Sequence, residues 1–288
     1  MKPVAFDYVC PESIEEALGL LSEYGSDAVV MAGGMSLGPM LNLRLVKPSV
    51  VIDIGRIEAL RAIDAGTDTA TTGATVRQSD ALIDETLTGH VPLLGLALPW
   101  VGHVQTRNRG TLGGSVAHAD PSAETPLSLV TLGGRVQLRS RRGSRKVAAD
   151  EFFLGMLTTA RSPEEMITGL EWPCAKPGDH VAFAEIAERH GDFAVAAVAS
   201  RVRIEGGKVS EVSIGVGGVE DRPVRFRPDA AGEVPSDELA TALAEDVASK
   251  LEPISDHSAS AGQRRALART LVRRTLTTAF SQTTEAAA

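Results

Sequence analysis

Two glycine pairs constrain this chain more than any other feature. One lies in Val29–Pro39 (VVMAGGMSLGP), the other in Val101–Pro126 (VGHVQTRNRGTLGGSVAHADPSAETP). Without a Cβ, consecutive glycines let backbone N–H groups converge on one point. A nearby Ser or Thr hydroxyl adds a further donor, and such a loop can hold a pyrophosphate with no lysine. The first pair follows a run, Ala28–Met31, that reads as a buried strand. It precedes a short helical turn, Pro39–Leu45. The second pair reads as a loop in a strand-like setting. Neither is GxGxxG or GxxxxGK[ST], which disfavours a Rossmann dinucleotide site and ATP hydrolysis. With Gly at 28 of 288 residues, either pair alone reads as a structural turn. Both together, each followed closely by Ser36 or Ser115, point to one shared ligand.

The rest of the chain narrows the ligand class by exclusion. A net charge of −8 without a long basic block disfavours a nucleic-acid surface. Cys10 and Cys174 are far apart, and no Cys/His cluster supplies a zinc or iron–sulfur site on this chain. No GxSxG, HExxH or Cys nucleophile motif is present, so no catalytic residue and no metal ligand is assigned. No run of about 18 apolar residues is available to span a bilayer. The N-terminus MKPVAFDYVC lacks the apolar stretch of a signal peptide, so a cytoplasmic location is expected.

Periodicity predicts an α+β protein of two or three subdomains. Strand-like Lys2–Tyr8, helical Pro11–Tyr24 and strands Ala28–Met31 and Val50–Ile54 form a first α/β unit, residues 1–55. Residues 56–175 follow, with a turn at Asp64-Ala65-Gly66 and helices Gln78–Leu87, Val91–Trp100 and Ser122–Leu132. They also hold a hairpin around Arg141-Arg142-Gly143 and a strand Met166–Trp172. Prolines and glycine in Pro173–Gly178 place a boundary before residues 176–288. There, three β-rich runs, a polar linker (Pro228–Pro235), helices Ser236–Leu251 and His257–Phe280 and a frayed tail Thr283–Ala288 are expected. His103 and His118 read as loop-fixing hydrogen-bond partners and Asp120 as a turn cap before Pro121. Arg107 and Arg109 are open between a phosphate or docking role and a structural ion pair. Arg264, Arg265, Arg269, Arg273 and Arg274 form a charged helix face.

AGGMS (Ala32–Ser36) and TLGGS (Thr111–Ser115), with RNRG before and AHADP after, resemble the FAD-binding medium subunit of molybdenum hydroxylases. This is the carbon monoxide dehydrogenase and xanthine dehydrogenase family. FDYVCPESIEEAL, GDFAVAAVA (191–199) and GVGGVEDRPVR (215–225) are similar to family blocks in the same order, so the resemblance covers nearly the whole chain. It implies two N-terminal α+β subdomains with FAD between them, of the vanillyl-alcohol-oxidase-like kind. A C-terminal domain of a three-stranded antiparallel sheet and helices would follow. It implies that Ala32, Gly33, Gly34, Met35 and Ser36 surround the pyrophosphate and that Thr111, Leu112, Gly113, Gly114 and Ser115 complete the cradle. Glu124 falls where the family places an acid near the ribose, Val101 where the adenine is covered, and Phe193 where a side chain packs near the isoalloxazine. Met35 stands where His or Gln is common, Phe193 where Tyr is, Glu185 where relatives carry Lys, and Thr125 where Leu is. The resemblance further implies a heterotrimer or its dimer. A small subunit would carry [2Fe–2S] clusters and a large subunit the molybdenum cofactor; substrate would be oxidised on the latter. This chain would pass electrons from the clusters through FAD to an external acceptor. A self-contained FAD-dependent oxidoreductase of the same fold, and a scaffold subunit that has lost FAD, are the alternatives.

Overall fold

The computed structural model describes residues 1–285 and is α+β throughout. Strand β1 (Asp7–Val9) leads into helix α1 (Ile14–Tyr24), whose N-cap is Ser13, accepting the Glu16 N–H. That cap explains why the helix begins at Ile14 rather than Pro11. Strand β2 (Ala28–Met31), helix α2 (Leu37–Asn42) and strand β3 (Val50–Asp53) complete the unit. The sheet is parallel with order β1-β3-β2, which leaves β2 on the edge. Ala17, Leu18 and Leu21 of α1 bury against Val50 and Ile52, with Met166 joining from far along the chain.

The middle of the chain carries a five-stranded sheet, order β4-β5-β10-β6-β7. Its strands are β4 (Ile63–Ala65), β5 (Thr69–Gly73), β6 (Arg135–Ser140), β7 (Gly143–Ala148) and β10 (Met166–Pro173). Asp64 and Ala65, expected in a turn, lie within β4, and the turn follows them. Between β5 and β6 run α3 (Gln78–Ile83), α4 (Glu85–His90), α5 (Pro92–Ala97), α6 (Val104–Arg107), α7 (Leu112–His118) and α8 (Glu124–Leu132). The single helix expected over Gln78–Leu87 is broken at Asp84, whose side chain accepts the Leu87 N–H and starts α4. Every residue of α8 is buried, as befits a helix covered on all sides. Helix α9 (Ala149–Phe152) and the small hairpin β8 (Phe153–Gly155) and β9 (Thr158–Thr159) lie before β10.

The last sheet has order β11-β12-β13-β14: β11 (Asp179–Ile186), β12 (Ala196–Glu205), β13 (Lys208–Gly217) and β14 (Val224–Phe226). The three long strands are those expected; the short β14 is an addition. Gly206 and Gly207 turn the β12–β13 hairpin, both at positive φ (57° and 77°), as a tight two-residue turn requires. Helices α10 (Asp237–Lys250) and α11 (Ala261–Glu285) cover one face, which holds Ala182 and Ala184. The other face carries Val181 and leans on α8: a Cβ on Gly215 would meet Thr131 Oγ1 at 2.0 Å. Arg264 departs from the expected charged surface of α11. It is 3% exposed, and its guanidinium donates to the carbonyls of Val195 and Gly218 and to Asp256. Helix α11 is assigned as far as Glu285; residues 286–288 of the expected frayed tail lie outside the described residues.

Candidate functional site: a cleft between two glycine-paired loops

The two glycine loops meet. A Cβ on Gly33 would sit 2.0 Å from the carbonyl oxygen of Arg109 and 3.1 Å from Gly110 Cα, so the first loop lies directly against the run into the second. A Cβ on Gly114 would lie 3.9 Å from Ala32 Cβ. Between them opens a cavity of about 780 Å³, lined from both loops, from α8, from the start of β10 and from Gly191–Phe193. That volume lies in the upper part of the range of about 300–1,000 Å³ for ligand pockets.

The loops contribute differently. Ala32, Gly33, Gly34, Met35 and Ser36 line the cavity, and their N–H groups have no hydrogen-bond acceptor among the described residues. Gly34 adopts φ +73°, which glycine accepts without strain, and so turns the chain off the sheet edge. Consecutive free N–H groups in such a bend form an anion-binding concavity. The second loop is not strand-like, contrary to the sequence expectation. Thr111 is the N-cap of α7, accepting the Gly114 N–H at 3.0 Å, and the glycines sit in the helix's first turn. Its donors are spent inside the protein: Leu112 N–H bonds Val76 O at 2.9 Å and Gly113 N–H bonds Ala74 O at 3.2 Å. Gly113 also fits against Ala74, where a Cβ would meet backbone at 2.6 Å. This loop therefore supplies close approach and the Ser115 side of the wall, while the first supplies the donors.

Of the residues singled out from sequence, Ala32, Gly33, Gly34, Met35, Ser36, Val101, Thr111, Gly113, Gly114, Ser115, Glu124 and Phe193 line this one cavity. Leu112 does not. It is fully buried, and its side chain belongs to the core beneath α7. Phe193 is 73% exposed at the cavity rim. His118 lines the cavity, but neither its imidazole nor that of His103 makes a hydrogen bond among the described residues, so the loop-fixing role is not observed. Arg107 makes no ion pair among the described residues; its Nη1 donates to the carbonyls of Val101 (2.9 Å), Gly102 (3.2 Å) and Pro99 (3.4 Å). Asp120 caps its turn as expected, accepting the Ser122 N–H at 2.8 Å.

Glu124 opens α8 from the cavity wall at 8% exposure. Burial pushes its carboxyl up to about 7, with Asp120 adding to the rise and Arg107 opposing it. Glu185, on β11, is as deeply buried; neither carboxylate oxygen has a partner among the described residues. Burial, then the nearby Glu124 charge, raises it to about 8. In both, burial favours the neutral acid over the carboxylate. Arg161, Glu165, Met166 and Leu157 also line the cavity and were missed in the sequence. Leu157, Arg161 and Glu165 sit in turns and Met166 opens β10, none within a motif; only the positive φ of Leu157 (53°), a backbone feature, marks the segment.

A family model described as "FAD binding domain in molybdopterin dehydrogenase" matches residues 4–175, and one described as "CO dehydrogenase flavoprotein C-terminal domain" matches 181–279. The chain is 37% identical over 285 residues to the 6-hydroxypseudooxynicotine dehydrogenase complex subunit alpha of Paenarthrobacter nicotinovorans, covering 97% of this chain and 96% of the relative. It is 33% identical to the carbon monoxide dehydrogenase medium chain of Hydrogenophaga pseudoflava, covering 98% and 99%. A solved carbon monoxide dehydrogenase from that organism superposes with a TM-score of 0.93 over 98% of this chain and 99% of that one, at 33% identity. Quinoline 2-oxidoreductase from Pseudomonas putida 86 gives 0.93 at 35% identity, with the same coverage.

The fold and the FAD-binding family model that it matches define a flavin-binding protein of the oxidoreductase class. More narrowly, the chain belongs to the family of FAD-binding medium subunits of molybdenum hydroxylases.

Proposed function

We propose that this chain takes electrons from [2Fe–2S] clusters of a small partner subunit onto FAD and passes them to an external acceptor. A large partner subunit holds the molybdenum cofactor and oxidises the substrate. The observation that carries the reading is the run of free N–H groups from Ala32 to Ser36, facing a cavity that closes against Arg109–Ser115. These groups suit a diphosphate: five consecutive neutral donors along the cavity wall are unpaired among the described residues, and no lysine is needed. Ser36 and Ser115 add hydroxyls. Glu124 accepts ribose hydroxyls, and Val101 and Phe193 give apolar cover to the rings. FAD, when bound, supplies the two-electron chemistry; the protein positions it and sets its electrostatic surroundings.

The chain divides into units 1–55, 56–175 and 176–288; buried residues cross these bounds, with Ile57, Leu60 and Met166 in the first cluster and Val181 and Ala197 in the second. The complex is a heterotrimer or its dimer, in the cytoplasm. No helix of the described residues is long and apolar enough to cross a membrane. Tandem purification of the tagged chain tests the partners. Recovery of an iron–sulfur subunit and a molybdenum subunit with yellow, FAD-containing material is expected. Flavin reduction by an added substrate with the chain alone would favour a self-contained oxidoreductase.

A further inference from the structure

One cation on the cavity wall is only half used. Arg161 lies in the turn between β9 and β10 and lines the cavity. Its Nη1 donates to the carbonyls of Ser162 (3.0 Å) and Glu165 (2.8 Å). Its Nε and Nη2 have no acceptor among the described residues. The adjacent carboxylate does not fill that vacancy. Glu165 is held by Arg145 through Nε (2.6 Å) and Nη2 (2.8 Å) and by the Ser162 N–H (2.8 Å). Next along the wall come Met166 and Ile167, and Met166 packs with Ile54, Val30 and Ala32. Burial pushes the Arg161 guanidinium downward, and Glu165 only opposes this. Arg161 is half-buried, and its open edge is left for a group that enters the cavity. The diphosphate has its own donors at Ala32–Ser36, so the open fork suits a second, planar acceptor group.

We infer that the free edge of Arg161 meets the N1–C2=O edge of the flavin ring and stabilises the negative charge which that edge gains on reduction. The inference rests on the FAD reading above. Two electrons from the partner's reduced iron–sulfur clusters and one proton from solvent, placed on N5, convert the neutral oxidised ring into a monoanion. Arg161 keeps its proton and donates hydrogen bonds to that anion. Adenine gains no such charge, so the redox behaviour of the bound cofactor distinguishes which ring Arg161 faces.

The test uses the full chain loaded with FAD. The midpoint potential and the pH at which dithionite-reduced flavin ionises at N1 are measured spectroscopically in wild type, Arg161→Met and Arg161→Lys. In wild type, bound reduced flavin should ionise at lower pH than free FAD. Arg161→Met should move the ionisation up and the potential to more negative values, and Arg161→Lys should recover part of both. Wild-type reduced flavin that ionises like free FAD would overturn the inference, even if the variants failed to fold. So would an Arg161→Met protein that binds FAD more weakly with both properties unchanged, since the contact would then be to the adenine or diphosphate. Failure of the wild-type chain to bind FAD would instead sink the FAD reading, and this inference with it.

Discussion

At Gly33 a single methyl group decides whether the two loops can touch. Its Cβ would fall 2.0 Å from the Arg109 carbonyl oxygen, a backbone atom that cannot swing away. Gly33→Ala should therefore force the loops apart, costing roughly 1–3 kcal/mol and emptying the site. The ratio of flavin to protein after purification, read beside the denaturant midpoint, checks both halves. Full flavin occupancy in a folded variant would show that loop contact is dispensable. Glu185 gives a second, independent expectation. Its carboxyl, ordinarily near 4.5, titrates near 8 in the fold because it is buried beside Glu124. Between those values the folded state holds a proton that the unfolded chain has lost, so stability falls as pH rises through the window. Glu185→Gln should flatten that fall and gain roughly 1–3 kcal/mol near pH 8. Urea unfolding at about pH 5.5 and about pH 8 measures it; an equal loss in variant and wild type would mean that the carboxyl is not the source.

Helix α7 shows how much of an element can be read from sequence. A glycine pair is a poor helix former, and TLGGS reads as a bend. The helix exists because Thr111 caps it and because Gly113 alone fits against Ala74. Propensity lost to tertiary packing, which no local pattern records. By contrast α1, β2 and β3 were legible, since their periodicity is a local signal, although the Ser13 cap that starts α1 at Ile14 was not read. The glycine loops pointed to the cleft for the same reason. Arg161 and Glu165 could not be read from sequence: they join the cleft only because β10 pairs with β5 and β6 and brings its leading turn under β2. The cap itself is testable. Thr111→Val keeps the side-chain shape and removes the acceptor for the Gly114 N–H, which should cost about 1 kcal/mol. Thr111→Ser should restore most of it. Thermal unfolding of the two variants decides; equal stability would mean that the cap contributes nothing to α7.

Among the described residues three large sheets stand beside the small β8–β9 hairpin, and the cleft lies where the first meets the second while residues 191–193 reach in from the third. A cofactor held by all three should bind them together, since a ligand that favours only the folded state stabilises it by mass action. Thermal unfolding of the full chain should thus shift upward with added FAD in a concentration-dependent manner. The structure of the chain with FAD bound, determined by crystallography, tests the central claim most directly. The account places the diphosphate oxygens within hydrogen-bond distance of the N–H groups of Ala32–Ser36, flanked by Gly110–Ser115. A diphosphate seated elsewhere, with those N–H groups facing only water, would contradict it.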